Sequence, residues 1–169
     1  MKRMVFGSLA LLMCVPANFA DAGDWPQFRF DAQRSAASPE QLPETLNLQW
    51  VREFAPPRPA FPDEIRLAFD ASYEPVVLGN TMFVPSTVTD SVTALDTQTG
   101  DVRWRFFTDG PVRFAPVAWK GGVYFTSDDG HLYCVDAEEG SLRWKFRGLP
   151  AGREDRLLLG NGQIGRAHV

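Results

Sequence analysis

The stretch ALDTQTGDVRW, Ala94 to Trp104, returns as CVDAEEGSLRW, Cys134 to Trp144. Asp96, Gly100, Trp104 and Phe106 recur as Asp136, Gly140, Trp144 and Phe146, all at an offset of 40 residues. Further upstream the offset becomes 41, which pairs Pro75 with Pro116, Phe83 with Tyr124 and Val84 with Phe125. The slip falls where STVTDSVTAL is one residue longer than SDDGHLYCV, so one hairpin has gained a residue. Periods of about 20 to 50 residues mark repeat architectures, and the secondary structure inside the unit decides which one.

Each unit holds four short runs rich in Val, Tyr, Phe, Trp and Thr: EPVVLG, TMFVPS, SVTALDT and DVRWRFFT, then FAPVAWK, GVYFTSD, HLYCVDA and SLRWKFRG. Such runs read as strands rather than helices. Asp129-Gly130 tolerates positive φ and suits the hairpin between the second and third runs of the later unit. DTQTGD and DAEEGS each open with an Asp that can accept backbone N–H bonds and hold a Gly that can turn left-handed. Four antiparallel strands in about 40 residues make a β-propeller blade. The expected fold is therefore all-β: a partial propeller of about two complete blades, near residues 74–108 and 114–148, plus an N-terminal closing strand. In each blade the Trp offers a broad apolar plate with one N–H to satisfy, suited to wedging against a neighbour.

Composition agrees with a globular protein: 44% of the 169 residues are hydrophobic and 22% charged. The formal charge of −4, with no run of Lys and Arg, argues against a nucleic-acid or anionic-membrane surface. At the start, Lys2 and Arg3 precede the apolar run MVFGSLALLM, Pro16 breaks it, and Ala20-Asp21-Ala22 offers a small-x-small cleavage site. That is the build of a secretory signal over residues 1–22, leaving no stable membrane span after cleavage. Met13 stands where a lipid-attachment motif around Cys14 would need a small residue. Only Cys134 remains in the mature part, and its place in a strand predicts a buried, inert thiol.

The spacing Ala94-x-Asp96-x-x-Thr99-Gly100-x-x-x-Trp104 resembles the tryptophan-docking motif of the pyrroloquinoline quinone (PQQ) type propeller repeat. That repeat occurs in quinoprotein dehydrogenases and in many non-catalytic bacterial propellers. The second copy keeps Asp136, Gly140 and Trp144 but has Cys134 for the Ala and Glu139 for the Thr, which removes a hydroxyl from the turn. The clear repeats cover Pro75 to Gly148. The mature start, DWPQFRFDAQRSAASPEQLPETLNLQW, is also similar to the opening of large secreted PQQ-like propellers. On that likeness Leu46 to Phe54, with Trp50 in the place of Trp104, is an outer strand of the blade that closes the ring. The resemblance implies the fold strongly and an activity weakly, because fold does not fix function. PQQ with calcium enters only as what the family resemblance implies.

Two blades cannot close a ring of about four to eight, so residues 23–163 are expected to be the N-terminal part of a larger propeller. IGRAHV, Ile164 to Val169, reads as the translation of a sequencing-library adapter, so 164–169 is expected to be a non-native read-through tail and His168 is given no chemistry. Resequencing the locus tests this, and a natural stop codon after Val169 would refute it.

No catalytic residue and no metal site is identifiable. His131 sits beside the Asp129-Gly130 turn, where adjacent residues do not converge on one ion. Glu138 and Glu139 are consecutive and point apart, whereas paired catalytic carboxylates must face one reacting group. No zinc spacing, phosphate loop or Ser–His–Asp set is present. Function is therefore expected on two segments outside the repeat, Phe54 to Tyr73 and Arg147 to Gly162, since binding groups concentrate on loops held by rigid scaffolds. Tyr73 and Arg113 precede the innermost strands and are candidates to face a ligand in the central funnel; Arg153 and Arg156 are candidates in the later segment. Ala94, Asp96, Gly100, Trp104, Asp136, Gly140 and Trp144 are assigned to the architecture. The expected role is a secreted or periplasmic binding or scaffold module whose partner, a protein or a small molecule, sits on the propeller face. The alternatives are the opening of a quinoprotein dehydrogenase that oxidises alcohols or sugars, and an envelope protein-assembly propeller that pairs extended peptides at its edges.

Overall fold

The computed structural model describes residues 23–148 and two further short strands, Leu157–Leu159 and Gln163–Gly165. The signal segment, Arg153 and Arg156 lie outside the described residues.

Two four-stranded antiparallel sheets carry the repeat. The first comprises β1 (Val76–Leu78), β2 (Thr81–Ser86), β3 (Ser91–Asp96) and β4 (Val102–Phe107), paired in that order. The second repeats the arrangement with β5 (Val117–Trp119), β6 (Gly122–Thr126), β7 (His131–Asp136) and β8 (Leu142–Arg147). Consecutive strands pair as neighbours because short turns leave no room for a crossover. The one-residue difference lies where the sequence puts it: Ser86 pairs directly with Ser91, whereas the second hairpin closes by a Ser127 N–H to His131 carbonyl bond of 3.0 Å.

The turns into the outer strands are near copies. Asp96 Oδ1 accepts the N–H groups of Gln98 and Thr99 at 2.7 and 3.1 Å, and Asp136 Oδ1 accepts those of Glu138 and Glu139 at 2.9 and 3.0 Å. Gly100 (φ 76) and Gly140 (φ 70) close the turns from the left-handed region, donating to the carbonyls of Asp96 and Asp136. Glu139 removes only a local bond, the 3.2 Å contact from Asp101 N–H to the Thr99 hydroxyl. Beyond each turn the ladder steps over Arg103 and Arg143 in matching bulges. The stepped-over guanidiniums reach back to Asp96 and Asp136 at 2.6 and 2.7 Å, bracing turn against strand.

The sheets share one core, with Val76, Phe83, Val92, Ala94 and Val112 joined to Ala118, Val123, Phe125, Tyr133 and Val135. Trp104 and Phe106 of β4 form the seam. Trp104 lies 5.7 Å from the Phe83 ring and donates its indole N–H to the Ala137 carbonyl of the next sheet at 3.1 Å. Phe106 meets Phe125 and Tyr133 edge-on at 6.0 and 5.6 Å. A full aromatic plate removes about 150–250 Å² from water, so this seam is the main apolar join between the sheets. Trp50 repeats the contact on the first sheet, donating to the Thr97 carbonyl at 2.8 Å with its ring over Gly100. Residues 46–54 have no ladder of their own, because no strand among the described residues lies beside them. Leu46 to Phe54, expected as an outer strand, is therefore not a strand here, and of that expectation Trp50 keeps its docking contact on the Thr97–Gly100 turn. Leu142, Trp144 and Phe146, the counterparts of Val102, Trp104 and Phe106, remain exposed.

Two further features depart from the sequence reading. Trp25 exchanges both backbone bonds with Val77 (2.9 and 2.8 Å), and the Pro26 carbonyl accepts Ala118 N–H at 2.8 Å, so the N-terminal segment staples β1 to β5 along their free edges. The segment after Arg147, read as non-repeating, contains an antiparallel hairpin of β9 (Leu157–Leu159) and β10 (Gln163–Gly165). Its LLLGN, 157–161, echoes VVLGN, 76–80, at the β1–β2 turn.

Candidate functional site

The long segment between Trp50 and β1 folds as a strap. Its Pro-rich sequence supplies few backbone donors for a ladder, and its regular structure is a single 3₁₀ turn, Ile65–Leu67. The two ends are tied together where Tyr73 Oη donates to the Ala55 carbonyl at 2.7 Å and its ring packs 5.3 Å from Phe54. Midway, Arg58 N–H donates to the Thr87 hydroxyl at the β2–β3 hairpin, 2.7 Å away.

Arg113, at the entry to β5, fastens the strap. Its Nη1 donates to Asp70 Oδ2 at 2.6 Å and to the Arg58 carbonyl at 2.9 Å, while Nε donates to Asp128 Oδ2 at 2.6 Å. Asp70 Oδ2 also accepts Ala60 N–H at 2.8 Å. The Asp70 side chain is fully buried, and its other oxygen, Oδ1, has no partner. One guanidinium thus serves two carboxylates. Burial pushes the Asp128 carboxyl up, more than the Arg113 bond pulls it down.

The neighbouring Asp129 closes a second polar knot. It accepts the Tyr133 hydroxyl at 2.6 Å and the N–H groups of His131 and Asp109 at 2.9 and 3.2 Å, with His131 Nδ1 at 3.3 Å. Burial alone would raise the Asp129 carboxyl; the Tyr133 and backbone bonds outweigh it and hold it below the usual range. Burial, then the bond to Asp129, pushes the Tyr133 phenol up. His131 opens β7 beside the Asp129 knot, Glu138 lies in the turn after β7, and Cys134 is buried and free.

Tyr73 and Arg113, chosen from the sequence as ligand-facing, both hold the strap: the phenol through Ala55 and the guanidinium through three protein acceptors. Asp70 and Asp128, the carboxylates that hold Arg113, were not picked out in the sequence as its partners. The only signal was an acid inside the apolar run LAFDAS, 67–72. Phe69 of the strap stacks on Phe114 at 5.7 Å and 17°, and both rings are about half exposed. Among the described residues no three His, Cys, Asp or Glu groups are arranged to hold a metal ion, and no helix is long and apolar enough to cross a membrane. Arg113, mostly buried, commits three of its five N–H donors to Asp70, Arg58 and Asp128.

Two copies of one four-stranded unit, joined by aromatic residues of the outer strand, define a PQQ-like β-propeller repeat protein. The chain belongs to the family whose model is described as outer membrane protein assembly factor BamB, which matches residues 42–160. Among solved structures it is similar to the quinohemoprotein alcohol dehydrogenase from Comamonas testosteroni, at 26% identity and a TM-score of 0.57 over 78% of this chain and 20% of that one. It is also similar to BamB from Moraxella catarrhalis, with 19% identity and a TM-score of 0.38 over 41% of this chain and 21% of that one. Quinohemoprotein alcohol dehydrogenase ADHIIG from Pseudomonas putida HK5 gives 24% identity and a TM-score of 0.43 over 47% of this chain and 13% of that one. The chain thus spans between 13% and 21% of the length of these structures. No curated protein matches it significantly.

Proposed function

We propose that the chain is the N-terminal part of a secreted or periplasmic propeller that binds or scaffolds a partner on its face, in the manner of an envelope assembly factor. The observation that carries this reading is the family match over residues 42–160, most of the mature sequence. It is supported by the contacts of Trp50 and Trp104 with the next turn, which suit the tryptophan-docking motif, a device for building rings. It is also supported by the use of Arg113 and Tyr73 in shaping the strap, which leaves the exposed Phe69 and Phe114 rings as the contact groups of that face. The signal-like opening, Lys2 to Ala22, accords with export.

A second reading is favoured by the likeness to the Comamonas testosteroni enzyme, which covers 78% of this chain. There the chain opens a quinoprotein dehydrogenase, with PQQ and calcium held by blades beyond these. One experiment separates the readings: titration of the complete secreted protein with PQQ and calcium, followed by dye reduction in the presence of alcohols or sugars. Saturable binding with quinone-dependent reduction would establish the enzyme and overturn the binding module. A folded ring that does not bind PQQ, and that co-purifies with outer-membrane assembly proteins, is the expected result.

A further inference from the structure

The strap is joined to the blades by unusually few groups. Among the described residues, three hydrogen bonds connect residues 54–73 to the rest of the fold, and two of them come from Nη1 of Arg113. The remaining bonds of the segment are internal: Ala60 to Asp70, Tyr73 to Ala55 and the single 3₁₀ turn. Its base is pinched shut by the Tyr73 bond and the Phe54–Tyr73 ring pair, so its two ends already lie together whether or not its middle is fastened. A segment closed at its own base and fastened further out only through Thr87, Arg113 and the Phe69–Phe114 ring pair has the mechanics of a hinged flap.

The closed position is also imperfectly satisfied. Asp70 is buried in a segment whose Ile65, Leu67 and Phe69 are exposed, and its Oδ1 has no donor. A buried acceptor without a partner opposes closure, while the short bond to Arg113 favours it. Arg113 is shared with Asp128, whose side chain is 37% exposed, so a single guanidinium divides its bonds between two carboxyl groups. Opposed terms of this kind reduce the net hold on the closed position.

We propose that residues 54–73 form a hinged strap, opened and closed by the hold of Arg113 on Asp70 while the blades beneath stay folded. Opening releases the Arg113 guanidinium and the Thr87 hydroxyl from the strap and makes both available to a ligand on this face; closing occupies them. The device gates the end of the propeller at which the β2–β3 and β6–β7 hairpins lie, and it does not depend on whether the partner is a protein or a quinone.

Hydrogen exchange of the complete secreted protein, read by peptide mass spectrometry, tests this with Asp70→Asn and Arg113→Met. Strap peptides are expected to exchange about tenfold faster or more in both variants, the loss expected for a charged hydrogen bond, with β2, β3, β6 and β7 peptides unchanged. Unchanged strap exchange would overturn the proposal. Acceleration spread equally through the blade strands would overturn it too, making Arg113 part of the general core. Should Arg113→Met fail to fold, the near-isosteric Asp70→Asn decides the matter alone.

Discussion

Replacing Gly140 by Ala isolates the contact that joins the two blades. Gly140 has φ +70, and a Cβ there would stand 2.5 Å from Trp104 Cδ2 and 2.7 Å from Cε3, where ordinary contacts begin at 3.4 Å. The backbone strain costs about 1–2 kcal/mol. The ring must also withdraw by about 1 Å, weakening the Trp104 indole bond to the Ala137 carbonyl, which adds about 1–2 kcal/mol. The total is about 3 kcal/mol. Gly130 supplies the control: its φ is +85 but nothing lies within 4 Å of an added Cβ, so Gly130→Ala bears the strain alone. The two variants should therefore differ by about 1–2 kcal/mol, roughly a five- to thirtyfold difference in the population of the opened state. Native-state hydrogen exchange of β7 and β8 in the complete protein measures it, because a multi-blade ring need not unfold in one step. In a Trp104→Ala background the cost of Gly140→Ala should fall to that of Gly130→Ala. Equal costs for the two glycines, or a Gly140 cost that survives loss of Trp104, would refute the reasoning.

Other expectations are simpler. Trp50→Phe keeps a ring over Gly100 but removes the 2.8 Å bond to the Thr97 carbonyl, so Gly100 amide exchange should accelerate by about 1 kcal/mol; no change would deny Trp50 its bridging role. The Asp136 carboxyl is held down at about 2, against its usual 3.8, by the Glu139 N–H, then Arg143, then the Glu138 N–H. A depressed carboxyl contributes stability that is present above its unfolded value and lost as pH falls through the folded one. Asp136→Asn should accordingly flatten the stability profile between about pH 4 and pH 2, and an unaltered acid limb would count against the turn geometry. Residues 23–163 alone should lack a cooperative monomeric transition by circular dichroism, since Leu142, Trp144 and Phe146 are left 47%, 44% and 61% exposed. A sharp, concentration-independent transition would contradict this.

How much of the molecule could be read in advance depended on the range of the interactions involved. The Asp96 and Asp136 turns, the positive φ of Gly100, Gly140 and Gly130, and the extra residue in the β2–β3 hairpin are decided among residues a few places apart. Their signals are compact in sequence. The hairpin at 157–165 could have been found in the same way from its VVLGN-like LLLGN, but it was overlooked beside the Arg-rich stretch before it. Arg113 and Tyr73 stood out as polar groups near the inner strands, yet the sequence did not connect Arg113 to Asp70, 43 residues away, or to Arg58, 55 residues away.

By itself, then, the sequence determined the blade: strand order, turn chemistry and the Trp that each outer strand presents. Hydrogen-bonded ladders between consecutive strands and Asx-type turns are local, and a repeat states them more than once. Only the tertiary structure decided that Trp25 would staple β1 to β5, that Phe106 would complete an aromatic seam with Phe125 and Tyr133, and that one guanidinium would hold the strap closed. These depend on which surfaces the blades bring together and on how deeply each charge is buried. No periodicity encodes such quantities, because they arise only once the chain has folded back on itself.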